Sequence, residues 1–112
     1  MPIQNWSEDV LLVELADDPQ FTDDMQAVLD AVEANGQRDV VLNFSNVTFL
    51  NSSNIAKLLK LRKLVVVNNH RKLRLCCVST HVWGVFLVTG LDKIFEVYDD
   101  VAIGLASLQL GQ

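Results

Sequence analysis

Four short apolar runs, each followed by a segment of helical spacing, constrain this chain more than any other feature of its sequence. The runs cover residues 9–16, 40–44, 72–78 and 94–98. Each is strand-length and bounded by polar or turn-forming residues. Strands that alternate with helices need crossover connections, so the order predicts an α/β fold with parallel pairing.

The segments between the runs carry their own start and stop signals. After Asp17, Asp18 and Pro19, Thr22 is placed to cap a helix, with Asp23 and Asp24 in its first turn. Met25, Val28, Leu29 and Val32 form its apolar stripe, and Asn35-Gly36 ends it through a left-handed glycine. A polar cluster, Asn51-Ser52-Ser53-Asn54, opens the second helix. Ile55, Leu58 and Leu59 give that helix one face, continued less cleanly by Leu61, Leu64 and Val65. Asn68-Asn69-His70 closes it, although the β-branched run at residues 65–67 favours an earlier end. The third helix starts at Ser79 or Thr80, carries Val82, Val85, Phe86 and Val88, and stops at Gly90. Asp99 or Asp100 caps the last, with Val101, Leu105 and Leu108 on one face. No repeat or linker divides the chain, so residues 1–112 read as a single domain.

With 112 residues, half of them hydrophobic, the chain can build a real core and is not of disordered composition. No apolar run approaches the ~18 residues of a membrane span. The opening residues lack the basic stretch and apolar core of a secretory signal, so a cytoplasmic protein is expected. The net charge is -5, a poor balance for general nucleic-acid binding. That charge is unevenly placed. Ten of the fourteen acids lie at or before Asp39, and seven of the nine basic residues fall between Lys57 and Arg74. The middle of the chain thus reads as a basic surface, serving either solubility or the docking of a charged partner.

Catalytic signatures are absent from the sequence. It has no phosphate-cradling glycine loop and no nucleophile elbow. His70 and His81 read as surface or capping residues. The pairs Asp17-Asp18 and Asp99-Asp100 precede helices, where carboxylates satisfy free backbone N–H groups. Cys76 and Cys77 are adjacent, and neighbours on a strand point to opposite faces, which argues against a disulfide between them. No zinc spacing accompanies them. The expectation is a non-enzyme with no metal and no cofactor.

The 51–54 cluster is the most informative polar stretch. It delivers a buried strand to a helix N-terminus. One reading is a plain cap by Asn51, Ser52 or Ser53. The other is a hydroxyl open to phosphorylation, since a helix N-terminus tolerates the added charge of about -1.5 to -2.

Three stretches carry a resemblance to a known family. They are the strand, connector and polar cluster at residues 40–54, the strand Lys72-Leu73-Arg74-Leu75 followed by Ser79, and the segment Val88-Thr89-Gly90-Leu91-Asp92-Lys93-Ile94-Phe95-Glu96-Val97-Tyr98. Together they resemble the STAS domain, specifically the small bacterial anti-sigma factor antagonists. The N-terminal third fits in layout only. The resemblance implies a STAS-type mixed β-sheet of four to five strands with about four flanking helices.

It also implies a partner-switching regulator of transcription. The unphosphorylated antagonist binds an anti-sigma factor that is also a serine kinase, the sigma factor is freed, phosphorylation ends the complex, and a cognate phosphatase resets it. By position, the phosphorylated residue is Ser52, with Ser53 the neighbouring hydroxyl. The implied partner-binding residues are Asn51, Ser52, Ser53, Asn54, Lys57 and Lys60. This chain has Asn51 where the family has Asp, and Asn54 where it has Gly. An alternative is a STAS scaffold or accessory subunit of a stress-signalling or lipid-transport complex, with both serines structural. Neither reading involves nucleic acid or membrane insertion.

Overall fold

A computed structural model describes residues 3–109. Five strands form one sheet: β1 (Ile3–Ser7), β2 (Val10–Ala16), β3 (Asp39–Asn46), β4 (Leu73–Cys76) and β5 (Glu96–Tyr98). Their spatial order follows the chain. β1 pairs antiparallel with β2, and every later pair is parallel. Four helices connect or follow the strands: α1 (Gln20–Ala34), α2 (Ser52–Arg62), α3 (Thr80–Thr89) and α4 (Val101–Leu108).

This order dictates the layering. Each parallel crossover is right-handed by strong preference. Three successive crossovers that step in one direction therefore put α1, α2 and α3 on the same face. The main core lies beneath them. Leu11, Val13 and Leu15 of β2 and Val40, Leu42 and Phe44 of β3 point into it. They meet Phe21, Met25 and Val28 of α1, Leu58 and Leu61 of α2, and Phe86 of α3. The intervening strand residues face the other way and need a separate cover. α4 provides it, closing a smaller core of Val10, Val41, Cys76 and Leu108.

Several sequence expectations need correction. β1 was not foreseen, because it is an edge strand whose residues after Ile3 are all exposed and so carry no alternating signal. α1 starts at Gln20, and Thr22 is not its cap: the carboxylate of Asp18 accepts from the Thr22 N–H instead. The helix ends at Asn35 in an extended conformation, and Gly36 is not left-handed. Gly36 matters for space, since a Cβ there would lie 2.8 Å from Asn69 Nδ2. The α-helical part of α2 ends at Arg62, and the β-branched segment Lys63–Asn68 continues as π-helix. Leu59 and Val88, read as core-facing, are exposed. The buried ridge of this rod is instead Asn54, Leu58, Leu61 and Val65, a strict three-and-four spacing. Gly90 does stop α3 in the left-handed conformation, at φ 80°. Ser79 and Asp100 cap α3 and α4.

Candidate functional site

Parallel strands gather the N-termini of their following helices at one end of the sheet, and the candidate site forms there. β2 and β3 finish side by side, with Ala16 opposite Asn46. The chain beyond β2 supplies Asp17 and Asp18. The chain beyond β3 runs through Val47 and Leu50, both buried, to the start of α2.

A hydrogen-bond lattice ties these two segments together. Asp17 accepts from the Thr48 backbone N–H at 2.8 Å and from its hydroxyl at 2.6 Å. The Thr48 hydroxyl bond is the main cause that holds the Asp17 carboxyl below its ordinary range. Asp18 reaches further. Its Oδ1 accepts from the Thr22 hydroxyl at 2.7 Å and the Thr22 N–H at 3.0 Å. Its Oδ2 accepts from Asn54 Nδ2 at 2.9 Å and Asn51 Nδ2 at 3.2 Å. These bonds stabilise the ionised form, the Thr22 hydroxyl first and Asn54 next, and lower the Asp18 carboxyl to about 2.

Asn51 and Asn54 also bind each other. The Asn54 N–H donates to Asn51 Oδ1 at 2.8 Å, and the Asn51 N–H donates to Asn54 Oδ1 at 3.1 Å. This reciprocal cap occupies both amide oxygens, while both amide nitrogens serve Asp18. Asn54 is 2 % exposed. It lies beneath the corner as a support and offers no surface of its own.

Ser52 and Ser53 follow the cap as the first residues of α2, and both are exposed. Lys57 sits one turn on, half-buried, and its Nζ donates to Ser53 Oγ at 3.2 Å. Lys60 is exposed on the next turn. The structure therefore brings Asn51, Ser52, Ser53 and Lys57 onto the N-terminal end of α2, with Asn54 below them, whereas Lys60 lies in the last turn of the helix. Phe49, 46 % exposed just before the cap, adds an aromatic ring. Leu59 adds a second apolar side chain on the outer side of the helix. Its only signal in the sequence was a position one step off the buried ridge.

The basic middle of the chain does not form one surface. Arg74 is buried, donating to Ser107 Oγ at 2.9 Å, and Arg71 pairs with Asp39 at 3.0 Å. Cys76 and Cys77 are both free. Cys76 is buried against α4, and burial raises its thiol to about 11. Among the described residues, no helix is long and apolar enough to cross a membrane. No cluster of His, Cys, Asp or Glu is placed to hold a metal ion among them.

Comparison with known proteins adds three findings on fold and one on sequence. The STAS domain profile matches residues 19–103. A candidate anti-sigma factor antagonist from Thermotoga maritima superposes with a TM-score of 0.83 at 17% identity, covering 96% of this chain and 93% of that one. The anti-sigma factor antagonist SpoIIAA in its unphosphorylated form gives 0.78 at 16% identity, with 98% and 96% covered. A chain of the stressosome, a signal integration and transduction hub, gives 0.75 at 17% identity, with 96% of each covered.

Proposed function

The chain belongs to the STAS domain family, and from that premise we propose that it is an anti-sigma factor antagonist-like regulator that docks on a kinase-type anti-sigma factor. The docking surface is the corner at the start of α2 together with the outer side of that helix, where Leu59 and Lys60 are exposed. Asn51, Ser52, Ser53, Lys57 and Lys60 contact the partner, and Asn54 holds the corner in shape from below. Ser52 is the residue phosphorylated, the modified chain is released, and a phosphatase restores it.

One observation carries this reading. Ser52 is exposed at a helix N-terminus whose cap is made by Asn51 and Asn54. The fold does not need the Ser52 hydroxyl for capping, so the hydroxyl is left for another use. A phosphate on it meets the favourable field of the helix N-terminus and lies about one turn from Lys57, so the domain stays folded. Release then arises on the partner's side. Bringing like charges together costs several kcal/mol, and about 1.4 kcal/mol is already a tenfold loss of affinity.

The test is incubation with ATP and a kinase-type anti-sigma factor, phosphosite mapping, and binding assays on Ser52→Ala and Ser52→Asp. The expected outcome is phosphate on Ser52 and loss of binding by the phosphorylated chain. Equal binding by wild type, the phosphorylated chain and Ser52→Asp refutes the switch. A second reading, a STAS scaffold of a stress-signalling complex, draws support from the likeness to a stressosome chain. It predicts stable assembly with other STAS chains and no phosphate on either serine.

A further inference from the structure

At the end of the sheet opposite the Ser52 corner, β4 and β5 begin beside a cleft of about 180 Å³. Arg62, Arg71, Lys72 and Arg74 line it, together with Glu96. Four of the nine basic residues of an acidic chain thus contribute to the walls of one small space, Arg62 from the helix face of α2 and Arg74 from the strand that α4 covers. None of the four is fully exposed. Crowding half-buried cations raises the energy of the fold unless something neutralises them.

Among the described residues, only part of this charge is neutralised. Arg71 is paired with Asp39. The other three donate to uncharged acceptors: Arg62 Nε to the Ile94 carbonyl at 3.0 Å, Lys72 Nζ to the Leu108 carbonyl at 3.4 Å, and Arg74 Nε to Ser107 Oγ at 2.9 Å. Among the described residues, setting Asp39 and Glu96 against the four cations leaves two positive charges. These bonds also fix the stems of the side chains. Arg62 is held through its Nε, which leaves the two terminal nitrogens of its guanidinium fork to be shared with an oxyanion.

We propose that this cleft binds a phosphate dianion, either inorganic phosphate or the phosphate group of a small monoester. The charge matches, the guanidinium forks suit tetrahedral oxyanion geometry, and partial burial protects the interaction from salt. The site is separate from the α2 corner and does not depend on the function proposed above.

The test is an NMR amide-shift titration of the whole chain at about pH 8, where phosphate is a dianion, with ionic strength held constant by chloride. Inorganic phosphate and glycerol 3-phosphate form separate arms, and tighter binding by one names the source. Saturable shifts centred on residues 71–74 and 94–96 are expected. Shifts that stay linear, or that centre on residues 52–57, overturn the site. The double variant Arg62→Gln/Lys72→Gln should weaken binding by roughly tenfold or more, the loss carried by one charge-assisted hydrogen bond. Unchanged affinity in a folded double variant overturns the site. Glu96→Gln removes the opposing charge on the exposed edge strand and should tighten binding. If the double variant does not fold, this arm decides, and unchanged or weaker binding refutes the proposal.

Discussion

Asn54 donates its side-chain N–H to Asp18 across 36 positions of sequence, at 2.9 Å. The bond joins the starts of two helices. On one side Asp18 satisfies the Thr22 N–H in the first turn of α1; on the other it fixes the amides that cap α2. It also gives a physical reason for the two departures from the family signature. An acid at position 51 would face the Asp18 carboxylate at the distance where Asn51 now donates to it. A glycine at position 54 would have nothing to donate. With Asp18 in place, amides at both positions are the residues that satisfy it.

Asp18 should make stability pH-dependent in a defined window. Its carboxyl titrates at about 2 in the folded chain against an ordinary 3.8. A depressed folded value favours folding above the unfolded value. That contribution fades as pH falls from about 4 toward about 2. Urea unfolding of wild type and Asp18→Asn across this range checks it. The wild type should lose stability more steeply on acidification, and parallel profiles would show that Asp18 is not linked to folding.

Restoring the family's glycine should weaken this chain. Asn54→Gly removes half of the reciprocal cap and the bond to Asp18, and adds backbone entropy in the first turn. A cap residue and a helical glycine each contribute about 1 kcal/mol, so the loss should be about 1–2 kcal/mol in thermal or urea unfolding. Asn51→Asp keeps the cap acceptor but sets a second carboxylate against Asp18. The Asp18 titration, followed by NMR, should then move up toward the ordinary range.

The fold was largely legible because local signals and topology agreed. Four strand runs, the helix caps and the Gly90 stop are local chemistry. Each run forms a strand, although those at 72–78 and 94–98 shorten to Leu73–Cys76 and Glu96–Tyr98. Of the caps offered for α3 and α4, Ser79 and Asp100 are the ones used. What stayed hidden depends on contacts between distant residues. Nothing near Asn51 or Asn54 announces Asp18. Gly36 resembles a helix stop, yet its role is set by Asn69, which packs against it from the far end of the π-helical segment. Arg74 reads as one more surface cation, but α4 folds over it and supplies Ser107. At the candidate site the serines and lysines were readable from the helix start. The exposure of Phe49 was not, because an aromatic residue between two buried anchors, Val47 and Leu50, carries an apolar signal like theirs.

Neighbouring leucines on α2 should respond very differently to truncation. Leu58 is completely buried in the main core, whereas Leu59 is 40 % exposed. Leu58→Ala should cost about 2–5 kcal/mol through lost contacts and a cavity. Leu59→Ala should change stability by less than about 0.5 kcal/mol, as surface substitutions do. Under the proposed function it should still reduce partner affinity. Equal losses of stability in denaturant unfolding would place the helix face wrongly.

Gly104 supplies the last case, because general helix propensity and local packing point in opposite directions there. It lies within α4, where glycine is about 1 kcal/mol worse than alanine on intrinsic grounds. An added Cβ would collide with the Cys76 sulfur on the sheet beneath, with the Val41 side chain next at 3.7 Å. Overpacking of this kind costs about 1–3 kcal/mol, so Gly104→Ala should destabilise despite its better propensity. Cys76→Ala removes the obstructing sulfur and leaves room for the new methyl group. The double variant Gly104→Ala/Cys76→Ala should therefore be more stable than the sum of the single effects predicts. A double-mutant cycle by urea unfolding reads that coupling directly. Strict additivity would mean that α4 does not rest on β4 through this pair.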